Sequence, residues 1–115
     1  SYVNAHGTGT VHNDSAESAA LHRALGSHVA SGVPLSSTKS LHGHALVAAG
    51  ILELAITVLS LENGLLPANS GYAGPDPECE LNLILEPREV PDVARALSLN
   101  AAFGGANTAL VIGKP

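Results

Sequence analysis

The stretch His44–Glu62, HALVAAGILELAITVLSLE, is the one on which the reading of the fold turns. It is apolar nearly all round a helix. Before Glu62 its only clearly polar positions are Glu53, Thr57 and Ser60, a thin stripe at spacings of four and three. A helix with so little polar surface is expected to be buried. The competing reading is a membrane span, but Glu53 interrupts the run, which falls short of the roughly 20 apolar residues that cross a bilayer. No membrane is therefore expected.

Working upstream, Val33–Thr38 suits a short buried strand, and Lys39 stands at its end. SYVNA at the N-terminus reads as another strand, followed by a polar loop of small residues over 7–13. Asp14 and Glu17 form a D-x-x-E capping-box pattern, which places a helix from about Asp14 through Leu25, stopped near Gly26. Downstream, residues 63–80 hold the Gly, Pro, Asn and Ser density of a surface loop. LNLILEP (81–87) alternates like a strand and VPDV breaks it. RALSLNA (95–101) and TALVIG (108–113) flank a Gly-Gly turn as a hairpin. The order β-α-β-α and then strands indicates one α/β domain over 1–115, with a mixed sheet and a buried central helix.

Composition narrows the function. Of 115 residues 45% are hydrophobic, but Phe103, Tyr2 and Tyr72 are the only aromatics, so stacking on bases is disfavoured. The net charge is −5, and the five basic residues are scattered singly, which leaves no stripe to track a phosphate backbone. Nucleic-acid binding is not expected. The single cysteine, Cys79, cannot form an internal disulfide, which together with the lack of a recognisable targeting segment suggests a reducing, cytoplasmic setting. The absence of methionine and the abrupt strand start suggest a portion of a longer polypeptide.

Four residues could carry chemistry. His6 lies just past a strand end, before Gly-Thr-Gly-Thr, where sheet proteins place ligands and glycines allow close backbone approach. His44 falls at the expected start of the apolar helix, whose positive dipole end favours a neutral ring able to donate to an oxyanion. Lys39, at the end of a buried strand, needs a carboxylate partner, and Glu17 is the candidate. His12, His22 and His28 lack a ligand spacing, and His42-Gly-His44 is too short to define a zinc site, so no metal is expected. Cys79 lies among acidic residues that should raise its thiol pKa, which makes it a poor nucleophile. G-x-S-x-G, phosphate-loop and dinucleotide fingerprints are all absent.

Three stretches taken in order resemble one family. NAHGTGT (4–10) with Asn13, Asp14 and Glu17, STKSLHGHALVAAG (37–50) and FGGAN (103–107) are similar to the three motifs in the C-terminal half of β-ketoacyl-acyl carrier protein synthases. These are condensing enzymes of fatty acid and polyketide synthesis with the thiolase fold. The resemblance implies the C-terminal half of a thiolase-like layered fold, with a mixed five-stranded sheet. It also implies decarboxylative Claisen condensation by a Cys-His-His triad.

By that resemblance His6 and His44 are the catalytic histidines, Lys39 is the structurally important lysine and Glu17 its acidic support. Thr8 and Thr10 line the pantetheine channel, and Phe103 with Gly104 gates the acyl pocket. No cofactor is implied, because substrates arrive on the phosphopantetheine of acyl carrier protein. Implied partners are that carrier protein, the N-terminal half and a second copy in a homodimer. Two departures stand out. The family's nucleophilic cysteine belongs to the N-terminal half and Cys79 does not match it, so this chain alone should be inactive. The loop LNAAFGGAN is one residue shorter than the family's and lacks its first phenylalanine. The alternatives are a non-catalytic chain-length-factor-like subunit, against which both histidines and Lys39 count, and a stand-alone binding module for acyl thioesters.

Overall fold

The structure is a computed structural model describing all of residues 1–115. Its centre is a four-stranded mixed sheet in the order β2-β1-β5-β6. β1 (Tyr2–Asn4) runs parallel to β2 (Leu35–Ser36) and to β5 (Arg95–Ala101), and β5 pairs antiparallel with β6 (Asn107–Gly113) in the expected hairpin. A separate two-stranded ribbon joins β3 (Leu65–Leu66) to β4 (Arg88–Glu89).

The fifth strand expected at 81–87 is reduced to a single bridge between Leu83 and Leu35. The cause is local. Asn69 takes the Ile84 carbonyl with its own N–H at 2.7 Å, and its side-chain amide reaches the carbonyls of Ile84 and Leu35. The Leu35 carbonyl keeps its one ladder bond, from the Ile84 N–H at 2.9 Å, while the Ile84 carbonyl is taken up by Asn69 of the loop, so the ladder does not continue.

Strand alternation divides β1 between two layers. Val3 and Ala5 pack with Leu21, Ala30 and Leu35 beneath α1 (Val11–Leu25) and the short α2 (Ser27–Ala30). Tyr2 packs on the opposite face with Leu61, Leu66, Ile84, Val93 and Ala96, the core beneath α4 (Ala49–Asn63). α1 starts earlier than the capping-box reading allows. Thr10 occupies the N-cap position, and Asp14 lies inside the first turn, where its charge still complements the helix dipole.

The segment before α4 also differs from expectation. Rather than one helix from His44, the chain forms α3 (Lys39–His42), a loop, and a 3₁₀ turn at Leu46–Ala48 before α4 begins at Ala49. Gly64 ends α4 in the left-handed region (φ 63°) against Pro91, where a Cβ would meet the Pro91 Cα at 2.8 Å.

α4 is oriented opposite to the expectation of an apolar burial. Its thin polar stripe, Glu53, Thr57 and Ser60, is the buried face, while Ile51 and Leu59 are 68% and 55% exposed. The sheet explains this. Asn4, Ser36 and Ser98 stand in register across three strands, all buried, and present a polar row to the polar stripe. Leu41, Ile56, Leu59, Leu65, Pro67 and Pro87 line an open groove of about 330 Å³ beside the outward face. By length and composition residues 46–63 could cross a bilayer. Instead the segment is wedged onto the sheet through Glu53, and it forms a layer of the domain.

Candidate active site

His6 follows β1 and is 7% exposed. Two side chains clamp the peptide units around it. The Glu17 carboxylate accepts the His6 N–H at 2.7 Å and the Gly7 N–H at 2.8 Å. From the other side, the Ser37 hydroxyl reaches the carbonyls of Gly7 at 2.9 Å and His6 at 3.3 Å. Gly7 is required here, since at φ 36° a Cβ would lie 2.4 Å from the Ser37 Cβ. Burial raises the Glu17 carboxyl above its usual range, against the pull of the two N–H donors.

This arrangement corrects the pairing expected for Lys39. Its ammonium ion-pairs with Glu53 of α4, and both side chains are almost wholly buried. Glu17 is occupied by the His6–Gly7 backbone. The premise that a buried lysine needs a carboxylate was sound, but the partner comes from α4, the helix that follows, and not from α1. Burial first, and then the Lys39 charge, hold the His6 pKa below the ordinary histidine value, so its ring is neutral at pH 7. Burial likewise pushes the Tyr2 hydroxyl, bonded to Ser36 Oγ at 2.7 Å, up to about 12.

His44 sits five residues before α4, away from the helix terminus expected for it, and its tautomer is set by a bond. The Leu46 N–H donates to His44 Nδ1 at 3.1 Å, which makes Nδ1 an acceptor and leaves the proton of a neutral ring on Nε2. Leu46 reaches this geometry with φ 51°, a left-handed conformation unusual for leucine. The His6 and His44 rings meet edge to face, with centroids 5.6 Å apart.

Thr8, Thr10, Lys39 and His44 line a cavity of about 1010 Å³ that extends beneath the 69–83 loop. The two threonine hydroxyls are bonded to each other at 3.0 Å. Phe103 and Gly104 occupy the β5–β6 turn, with the Phe103 ring fully exposed and outside that cavity. Asn100, at the end of β5, brings this hairpin to the site through its side chain beside His6. Cys79 lies in the loop wall, and burial with Asp76, Asp14 and Glu78 raises its pKa as expected. Sequence reading missed Glu53, Asn4 and Ser37. For Glu53 there was a signal, a charge at the centre of an apolar helix.

Residues 1–73 match the family profile described as the β-ketoacyl synthase C-terminal domain. The chain belongs to the β-ketoacyl synthase family. It is 45% identical over 114 residues to the tetracenomycin polyketide synthase ketoacyl synthase alpha subunit of Streptomyces glaucescens, covering 99% of this chain and 26% of that protein. It is 44% identical to nodulation protein E of Rhizobium leguminosarum bv. trifolii, covering 95% and 27% respectively.

Among solved structures, a β-ketoacyl synthase from Burkholderia phymatum STM815 superposes with a TM-score of 0.91 at 38% identity, over all of this chain and 28% of its own. A type II polyketide ketosynthase solved with its acyl-carrier protein also gives 0.91, at 35% identity over 97% of this chain and 27% of its own. This β-ketoacyl synthase chain thus spans about a quarter of the length of the curated relatives it matches.

Proposed function

We propose that this segment supplies the decarboxylation machinery of a complete β-ketoacyl synthase that condenses an acyl thioester with a malonyl thioester carried on acyl carrier protein. The observation that carries this reading is the His6–His44 pair: two rings in edge contact, His6 with its pKa held low by burial and His44 with Nδ1 engaged as an acceptor by the Leu46 N–H.

In the proposed step the bond between the malonyl α-carbon and its carboxylate breaks, carbon dioxide leaves, and the electron pair moves onto the thioester oxygen as an enolate. A ring N–H of His6 and the Nε2–H of His44 donate to that oxygen. Neutral donors suit the task, because they stabilise the developing charge without surrendering a proton to it. The enolate carbon then attacks an acyl thioester on a cysteine supplied by the rest of the synthase. A carbon–carbon bond forms and the cysteine thiolate leaves. Burial first, and then the Lys39 charge, opposed in part by Glu53, keep the His6 pKa low. Thr8 and Thr10, on the cavity wall, guide the pantetheine arm in this reading, and Phe103 with Gly104, on the exposed β5–β6 turn outside that cavity, serve an acyl pocket that the rest of the synthase completes.

The relatives' names favour polyketide over fatty acid chains, and the solved complexes with an acyl-carrier protein and with a chain length factor favour those partner classes. The 115-residue segment by itself is expected to be inactive. A chain-length-factor-like role is disfavoured by the intact His6, His44 and Lys39 arrangement. The test is His44→Ala in the complete synthase. Malonyl decarboxylation should fall by roughly a hundred- to a thousandfold, while acyl transfer to the cysteine persists. Equal loss of both steps would refute the assigned role.

A further inference from the structure

Behind the two histidines lies a buried amide that the sequence reading passed over. Asn4 is wholly buried and shares the α4-facing side of β1 with Tyr2, two residues before His6. Its Oδ1 accepts the Thr38 N–H at 3.4 Å. Its Nδ2 faces Thr57 Oγ1 at 3.1 Å, the Glu53 carbonyl at 3.3 Å and Thr38 Oγ1 at 3.5 Å.

The directions of these bonds are consistent with one another. Thr57 spends its hydroxyl proton on the Glu53 carbonyl at 2.7 Å, so its oxygen is free to accept from Asn4. Only a carboxamide offers an acceptor toward Thr38 and donors toward α4 from one short side chain. An ionised aspartate would set oxygen against carbonyl, and leucine would leave the Thr38 N–H unpaired.

The segments joined by this one amide are those that carry the site. Asn4 is two residues from His6, Thr38 immediately precedes Lys39, and the α4 contacts are to Thr57 Oγ1 and to the backbone carbonyl of Glu53 itself. We infer that Asn4 is the positioning residue that holds His6, Lys39 and Glu53 in a common register, by tying β1, the turn after β2 and α4 together at a single buried amide.

This inference rests on the decarboxylation reading above, and the experiment separates the two. In the complete synthase, Asn4→Ala and the isosteric Thr57→Val are compared with wild type. The readouts are malonyl-thioester decarboxylation, the number of sites that accept an acyl group, and the crystal structure.

Asn4→Ala should lower kcat per acylatable site roughly ten- to a hundredfold, the scale of an ångström-sized misplacement, with KM little changed. Thr57→Val should do the same to a smaller extent, and the double variant should be no worse than Asn4→Ala alone. The Lys39–Glu53 pair should be displaced relative to His6 in the Asn4→Ala crystal. A variant that loses thermal stability or acylatable sites but keeps wild-type kcat per site would overturn the inference. So would an unmoved Lys39–Glu53 pair, whatever the activity. If Asn4→Ala does not fold, wild-type kcat in Thr57→Val overturns it instead. Absence of decarboxylation in the wild-type synthase would sink the functional reading, and the crystal comparison would still decide the role of Asn4.

Discussion

Glu53, in the second turn of α4, is ion-paired with Lys39 at the start of α3, with their side chains 0% and 4% exposed. Two buried charges survive in such a place only together. Glu53→Ala would leave the Lys39 ammonium without compensation, and is expected to destabilise the complete synthase by roughly 3–5 kcal/mol. Replacing both residues with apolar side chains, Lys39→Met with Glu53→Leu, should recover most of that stability without restoring decarboxylation. Denaturant unfolding of the three proteins checks this. A double variant as unstable as the single one would show that charge compensation is not the role of Glu53.

The same pair shows what was legible in the sequence. Lys39 at a buried strand end demands a carboxylate, and the structure supplies one, but as Glu53 of α4 rather than Glu17, because residue spacing does not say which helix covers the strand end. Helix periodicity identified the Glu53-Thr57-Ser60 stripe without saying which way it faced, because orientation depends on the polar row of Asn4, Ser36 and Ser98 that only strand pairing assembles. The hairpin and α1 were local in sequence and readable. The fifth strand was not, since the competing amide of Asn69 comes from outside the strand itself. His6 and His44 were legible as residues. The bond that sets the His44 tautomer depends on a strained leucine that no pattern announces.

Glu17 offers a pH test. Burial raises its carboxyl above the ordinary value of 4.5, so the folded chain binds this proton more tightly than the unfolded one. The resulting stabilisation is complete below 4.5 and is lost as the pH rises through the folded value. Glu17→Gln removes the titration. The stability difference between wild type and variant should therefore shift against wild type from about pH 4 to pH 7, as read from unfolding curves across that range. A difference that grows in favour of wild type with rising pH would mean that the two backbone donors outweigh burial.

The outward face of α4 bears on the quarter-length coverage. With Ile51 and Leu59 of α4 and Val47 of the preceding 3₁₀ turn exposed, the isolated 115-residue chain is expected to self-associate through this surface. Val47→Glu with Leu59→Glu should make the isolated chain monomeric in analytical ultracentrifugation. The same pair in the complete synthase should destabilise it, because charges would then be buried wherever the remaining polypeptide covers this face. Unchanged stability of the complete protein would place that polypeptide elsewhere.

The last prediction concerns the left-handed Leu46, whose N–H holds His44 Nδ1. That conformation costs a residue with a Cβ about 1–2 kcal/mol, and glycine adopts it freely. Leu46→Gly should therefore keep the bond and the Nε2–H tautomer, with stability unchanged or slightly raised. Leu46→Pro both removes the N–H and forces φ to about −65°, so it should release His44 to a mixture of tautomers. Nitrogen-15 chemical shifts of the His44 ring distinguish these states directly. Decarboxylation should follow them, retained in the glycine variant and lost in the proline variant. If the proline variant kept a pure Nε2–H ring, some other group would have to be holding Nδ1, and the backbone strain at Leu46 would serve no part in setting the donor.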